Sequence, residues 1–301
     1  MSEMAQQSHR PATQQRKSRT RRIRPARALL YFIVFALCVL FGFPLFWTLM
    51  SSLKTSTEMF AFPPALVPEI PQWSNYLEVL IIPRIPVSRW ALNSSFLVIM
   101  VTTGTLISAS LVAYSFARFT YRGRDALFLI TLATMMLPAQ VTLIPQFVLF
   151  YKLGWLNTLK PLWIPHWFGG GAFAIFLMRQ FFLSLPRDLD EAALIDGAGY
   201  FRIFWSILLP LCKPILATLA IITIIFTWSD FLGPLIYLNS PEKFTVSVGL
   251  QFFNSAPDVG GEPVQQLLMA ACVLSMLPII IIFFIGQRYF VQGIVMSGIK
   301  G

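Results

Sequence analysis

The densest cluster of acidic groups in this 301-residue chain is Asp188, Asp190, Glu191 and Asp196. Pro186 and Asp188 suit a helix start, and Asp190 and Glu191 favour the positive end of its dipole. Gly197 is placed to stop that helix with a left-handed residue beyond its last turn. The pattern predicts a short helix of about ten residues, followed by a turn and a second amphipathic stretch. On a helical wheel Leu189, Ala192, Ala193 and Asp196 share one face, flanked by Glu191 and Ile195. Small residues there would let the helix settle into a groove of another protein, and the acids would suit a partly basic surface. By wheel and charge alone, an ordinary surface helix with a charged first turn fits better.

Other reactive groups are sparse. His9 and His166 are the two histidines, and the chain contains no HExxH, GxSxG or GxxxxGK[ST] pattern. No residue is assigned a catalytic, cofactor or metal role. Cys38, Cys212 and Cys272 lie in or beside apolar blocks without CxxC spacing, which suggests neither a disulfide framework nor a metal site. His166 reads as an interfacial residue rather than a ligand. Asp230 is the acid that falls inside an apolar block, a functional candidate by default; a gate residue, a ligand contact and a structural contact near an outer mouth all remain open. Gln140, Thr142 and Gln146 stand among apolar neighbours beside Pro138 and Pro145. A proline-interrupted helix with polar residues fits a cavity wall, or a packing kink whose amides bond locally.

These residues are carried by elements that composition largely fixes. Hydrophobic residues make up 56% of the chain and charged ones 12%, with mean hydropathy +0.68. A soluble domain carries roughly twice that charge fraction. Apolar blocks run approximately over 28–50, 90–117, 125–151, 160–183, 207–237 and 266–289, and about 20 apolar residues suffice to cross a bilayer core. Continuous rather than alternating blocks predict helices. The expected fold is an all-α membrane protein with six spans. The first block is too long for a signal-peptide core and reads as a retained span.

Charge sets the expected orientation. Residues 1–27 form a basic tail, predicted to be disordered, and most of the 23 Lys and Arg fall in segments on its side. Lys54, Arg84, Arg89, Lys152, Lys160 and Lys243 are the ones expected outside. Both termini are therefore expected in the cytoplasm, with the tail a topology signal or a contact to anionic lipid rather than a nucleic-acid site. Residues 51–89 and 238–265 form sizeable outer connections, suited either to an external partner or to plain linkage. Thr105, Ala109, Ala113 and Ala117 recur every fourth residue as a small-residue stripe that admits a close helix neighbour. Gly169, Gly170 and Gly171 could loosen or break the fourth block.

One spaced pattern is far more specific. Glu191-Ala192-Ala193, Gly197, Ile207 and Leu209-Pro210 resemble, at every fixed position, the EAA loop of bacterial ATP-binding-cassette importer permeases; Asp196 and Ala198 match its extended form. Asn93-Ser94, Arg118 through Arg124, Leu137-Pro138, Ile144-Pro145, Arg179-Gln180-Phe181-Phe182, Trp228 through Phe231 and the ending Gln287 through Gly293 with Lys300-Gly301 resemble the sugar-transporting branch that includes maltose importers. Ser229 stands where that branch often has Asn.

The resemblance implies a permease domain over 28–301, with a cytoplasmic coupling helix between spans four and five in an EAA loop at 186–210. It implies a second, usually different, permease subunit, a pair of ATPase subunits that bind ATP-Mg, and an extracytoplasmic solute-binding protein. Carbohydrate would then cross by alternating access, with Glu191, Ala192, Ala193, Asp196 and Gly197 forming the ATPase-docking element. Gln140, Gln146 and Asp230 are candidate pathway or gate residues, Asp230 for gating or for sugar hydroxyls. A secondary transporter would be expected to show inverted repeats and a coupling carboxylate near the midplane. A membrane-embedded enzyme would be expected to pair acids within its spans.

Overall fold

The computed structural model describes residues 25–82, 85–255, 258–259 and 262–298. The basic residues before Pro25, His9, Arg84 and the terminal Lys300-Gly301, all used in the reading above, lie outside the described residues.

Fifteen helices follow one another among them. They are α1 (Pro25–Ser51), α2 (Ser56–Met59), α3 (Asn75–Ile81), α4 (Val87–Arg118), α5 (Arg124–Ala133), α6 (Ala139–Lys152), α7 (Lys160–Trp163) and α8 (Ala172–Ser184). Then come α9 (Asp188–Ile195), α10 (Tyr200–Arg202), α11 (Leu209–Leu211), α12 (Lys213–Ser229), α13 (Leu232–Tyr237), α14 (Val246–Ser255) and α15 (Gln265–Gly298). A two-residue antiparallel pair, Asp258–Val259 with Glu262–Pro263, precedes α15. The chain divides into two units, Met1–Phe46 and Trp47–Gly301. The described part of the first is apolar helix; everything below concerns the second.

Three helices are long and apolar enough to cross a membrane, and up to six crossings result if each bent pair counts as one. Breaks at Pro138 and at the glycine triplet fall where an interrupted and a loosened helix were expected, whereas the turn at Cys212 was not expected. The third block breaks at Leu137 and Pro138, whose ψ angles of 121° and 132° leave the helical region, because the residue before a proline is driven out of it. Pro145, by contrast, sits inside α6. The fourth breaks at the glycine triplet, whose φ angles of +111°, +64° and +85° suit residues without a Cβ. The fifth turns by 77° at Cys212 and ends again at Asp230.

Helix α4 organises the unit, with α8 and α12 packed against it and α12 in turn against α15. The small-residue stripe lies in this contact: Thr105, Ala109, Ala113 and Ala117 are all buried. A Cβ on Gly170 would come within 2.7 Å of the Thr105 carbonyl oxygen and 2.8 Å of the Ala109 Cβ. Ala174, Ile175, Met178 and Phe182 of α8 bury their side chains on the same side. Helix, stripe and glycine form a single close-approach interface.

At the Trp90 end of α4, polar side chains tie down the connections between helices. The Trp90 indole N–H donates to the Pro241 carbonyl at 2.7 Å, and the Asn93 amide to the carbonyls of Glu242 and Phe244 at 2.9 Å each. Ser94 Oγ accepts the Val246 N–H at 2.9 Å. Asn157 accepts from the Asn239 and Ser240 N–H groups, while its own carbonyl receives the Lys243 ammonium at 2.7 Å.

The 51–79 stretch is knitted likewise. Lys54, 1% exposed, donates to the Ala65 carbonyl at 2.6 Å and lies 4.4 Å from the Trp47 ring centroid. The Asn75 amide donates to the carbonyls of Ser52 and Lys54. The N–H groups of Thr55 and Glu69 both donate to the Glu58 carboxylate and hold its pKa below the usual carboxylate range.

Candidate functional site

At the Arg118 end of α4, the chain leaves α8 at Ser184 and turns by 74° into α9. Three acids occupy the first turn of α9, where the helix dipole favours them. Its last turn closes in a Schellman arrangement: Gly197 N–H donates to the Leu194 carbonyl at 3.0 Å and Ala198 N–H to the Ala193 carbonyl at 2.9 Å. Gly197 has φ +81°, the left-handed value predicted from its position.

The wheel face divides differently from the sequence reading. Glu191, Ala192, Ile195 and Asp196 are exposed, and Ile195 is 86% exposed. Ala193 is buried in the chain's own core, in the cluster that includes Tyr114 and Phe204. The expected docking face is thus smaller than Leu189, Ala192, Ala193 and Asp196 together, because one edge of α9 seals the protein's own interior. A single-sequence wheel cannot distinguish an apolar edge that meets the same chain from one that meets another.

Nor are all four acids available to a basic partner. Asp190 Oδ2 lies 3.2 Å from Arg118 Nε, with side chains 18% and 6% exposed. The approach is close but not aligned as a hydrogen bond. Arg118 Nη2 also donates to the Leu185 carbonyl at 3.2 Å, and the Tyr114 hydroxyl donates to the Tyr200 carbonyl at 3.2 Å. Between them opens a polar recess of about 340 Å³ lined by Tyr114, Arg118, Arg187, Asp190, Glu191 and Tyr200. Arg118 carries no local signal for this role, and sequence reading found it only as part of a wider segment.

Farther along α4 are two adjoining cavities of about 450 and 650 Å³ that share Val101, His166, Phe226 and Thr227 in their walls. The first adds Ser229 and Asp230; the second is lined mainly by apolar groups, with Thr105 and Thr223 among them. Asp230 does not sit within a continuous helix, as the apolar run suggested. It terminates α12 with ψ 121°, and its carboxylate accepts the Gly233 N–H, a free donor in the first turn of α13, at 3.3 Å. A helix break at that depth exposes backbone and acid to a cavity.

His166 was expected at an interface, yet it joins both cavities, with Nδ1 3.5 Å from Thr105 Oγ1 and its carbonyl accepting from Ser108 Oγ at 2.9 Å. Gln140 and Gln146 are not among the residues lining either cavity; both are exposed, and the Gln146 amide bonds Thr142 Oγ1 at 3.3 Å. A lined cavity beside a helix break can receive a polar solute, and an exposed capped helix can receive a partner.

Comparison with known proteins gives a consistent result. Residues 106–296 match the family model described as binding-protein-dependent transport system inner membrane component. The chain is 34% identical over 274 residues to the arabinooligosaccharides transport system permease protein AraQ of Bacillus subtilis (strain 168), covering 90% of this chain and 94% of that protein. It is 33% identical over 260 residues to the sn-glycerol-3-phosphate transport system permease protein UgpE of Yersinia pestis, covering 85% and 91%. The fold also aligns with a crystal structure of a bacterial ABC transporter involved in the import of the acidic polysaccharide alginate. TM-score is 0.77 and identity 25%, over 90% of this chain and 98% of that one.

Proposed function

The chain belongs to the family of binding-protein-dependent transport system inner membrane components, and from that premise we propose that it is the permease subunit of an ATP-driven importer that moves a carbohydrate or related polyol derivative across the cell membrane. It is a transport subunit of the membrane, and the chemical work is done by other chains. We assign six spans, with both termini and the EAA loop in the cytoplasm, and a permease domain from residue 28 onward preceded by a basic cytoplasmic tail. Its partners are a second permease subunit, an ATPase pair that binds ATP-Mg, and an extracytoplasmic solute-binding protein.

The observation that carries this reading is α9, a short exposed helix closed by Gly197 and standing off α8 at the end of the long helix that walls the cavities. Glu191, Ala192 and Asp196 present the docking face to the ATPase; Ala193 seats the helix on its own subunit, and Gly197 gives the turn that frees it to protrude. Closure of the ATPase pair moves α9, and the cavity walls follow, so that the solute site opens alternately to each side. Asp230, Ser229, Thr227 and His166 supply hydrogen-bonding groups to solute hydroxyls in the first cavity. Gln140 and Gln146 stand as pathway or gate candidates outside the two cavities described.

The test is reconstitution in proteoliposomes with the cognate ATPase, second permease and binding protein, followed by uptake of a panel of labelled oligosaccharides, monosaccharides and glycerol phosphates. ATP-dependent accumulation that requires the binding protein is expected. Accumulation driven by an ion gradient without ATP would contradict the reading.

A further inference from the structure

The Arg118–Asp190 pair is buried, and burying two charges is poorly repaid in stability. A reason for keeping it lies in what it joins. Arg118 is the last residue of α4 and bonds the carbonyl of Leu185, the residue that follows α8, while its charge faces Asp190 in the first turn of α9. Three helix ends therefore meet on one guanidinium. Only Leu185, Pro186 and Arg187 separate α8 from α9, and the chain turns by 74° there. Ala193 seats one edge of α9 in the core, and the ion pair adds a second, polar attachment where the helix leaves this short connection.

The second attachment leads to α4. At 1.5 Å per residue its 32 residues span about 48 Å. Leu97, Val101 and Thr105 wall the two cavities, roughly 20–30 Å from Arg118 by the same rise. Between these points α4 is backed by the buried Ala109, Ala113 and Ala117 interface with α8, so displacement at one end is passed on rather than absorbed. The Nε–Oδ2 contact is not aligned as a hydrogen bond, and a coulombic attraction tolerates a changing angle better than a directional bond does. Arg187 and Glu191, which line the same recess, are the other charged groups near the pair.

We propose that Arg118 and Asp190 are positioning residues that tie α9 to α4, and that this ion pair is the link through which movement of the docking helix reaches the cavity wall. The inference rests on α9 being the ATPase-docking element. Tyr114, whose hydroxyl holds the Tyr200 carbonyl on the far side of the recess, braces the segment that follows α9.

The experiment uses the reconstituted importer and reads sugar transported per ATP hydrolysed, with a cross-link from Ile195→Cys to the ATPase as an independent report of docking. Arg118→Gln and Asp190→Asn should retain the cross-link and ATP hydrolysis while the transport ratio falls about tenfold. The double variant Arg118→Asp with Asp190→Arg should recover most of the ratio. Unchanged ratios in the single variants with the cross-link intact would overturn the linkage and leave docking standing. A double variant no better than the singles would reduce Arg118 to a packing role. Loss of the cross-link in the Ile195→Cys complex with both charges native would overturn the docking reading, and the linkage with it.

Discussion

Gly197 and Asp230 are the two residues on which local geometry and function meet most closely. Gly197 holds φ +81° and donates its N–H to the Leu194 carbonyl. Proline can supply neither that angle nor that donor. Gly197→Pro should therefore abolish ATP-dependent uptake while the protein still inserts, and Gly197→Ala should weaken the turn by about 1 kcal/mol; uptake and ATP hydrolysis measured in the same vesicles check both. Asp230 divides differently. Asp230→Asn keeps an acceptor for the Gly233 N–H and removes the charge, whereas Asp230→Ala frees that donor at a cost of about 1 kcal/mol. Uptake should fall in both, with thermal stability lower only in the alanine variant. Wild-type uptake by both would remove Asp230 from the pathway. Gly197 was legible from the sequence because a glycine at that spacing after a charged first turn has one economical use. The cap formed by Asp230 was not, because an acid in an apolar run gives no sign that the helix stops there.

At the scale of elements, the α4–α8 interface depends on the absence of side-chain bulk. Ala109→Leu would push against Gly170, whose own missing Cβ leaves no slack. Overpacking of this kind costs about 1–3 kcal/mol, so the melting temperature in detergent should drop, and a neutral result would contradict the packing described. The four-residue period of small side chains announced this contact, and the glycine triplet announced the break beside it, since each has a local signature. The 77° turn at Cys212 was missed although Pro210, Lys213 and Pro214 flank it, because hydropathy registers length and not direction. The inward edge of α9 was hidden for a related reason. Ala192 and Ala193 are chemically alike, and only the placement of Tyr114 and Phe204 decides which of them is buried. The Arg118–Asp190 pair joins segments far apart in sequence, and no pattern in either segment points to the other.

For the whole molecule, the number of apolar blocks and the membrane environment follow from composition, while the places where blocks break follow from local residues, Pro138 and the glycine triplet among them. The positive-inside bias makes a direct prediction about sidedness. A cysteine at Phe62, which is 95% exposed in the 51–89 connection, should react with a membrane-impermeant maleimide in intact cells. One at Ile195 should react only after the membrane is opened. Reversal of the two would invert the topology and place α9 out of reach of any cytoplasmic ATPase. The central claim is that this chain works as one subunit of an ATP-driven importer. It is tested most directly by purifying the tagged chain from its native membranes, identifying what comes with it, and assaying ATP hydrolysis with and without sugar-loaded binding protein. The account predicts an ATPase subunit and a second permease in the preparation, with hydrolysis stimulated by the loaded binding protein. A stably folded chain recovered alone, transporting solute without ATP, would contradict it.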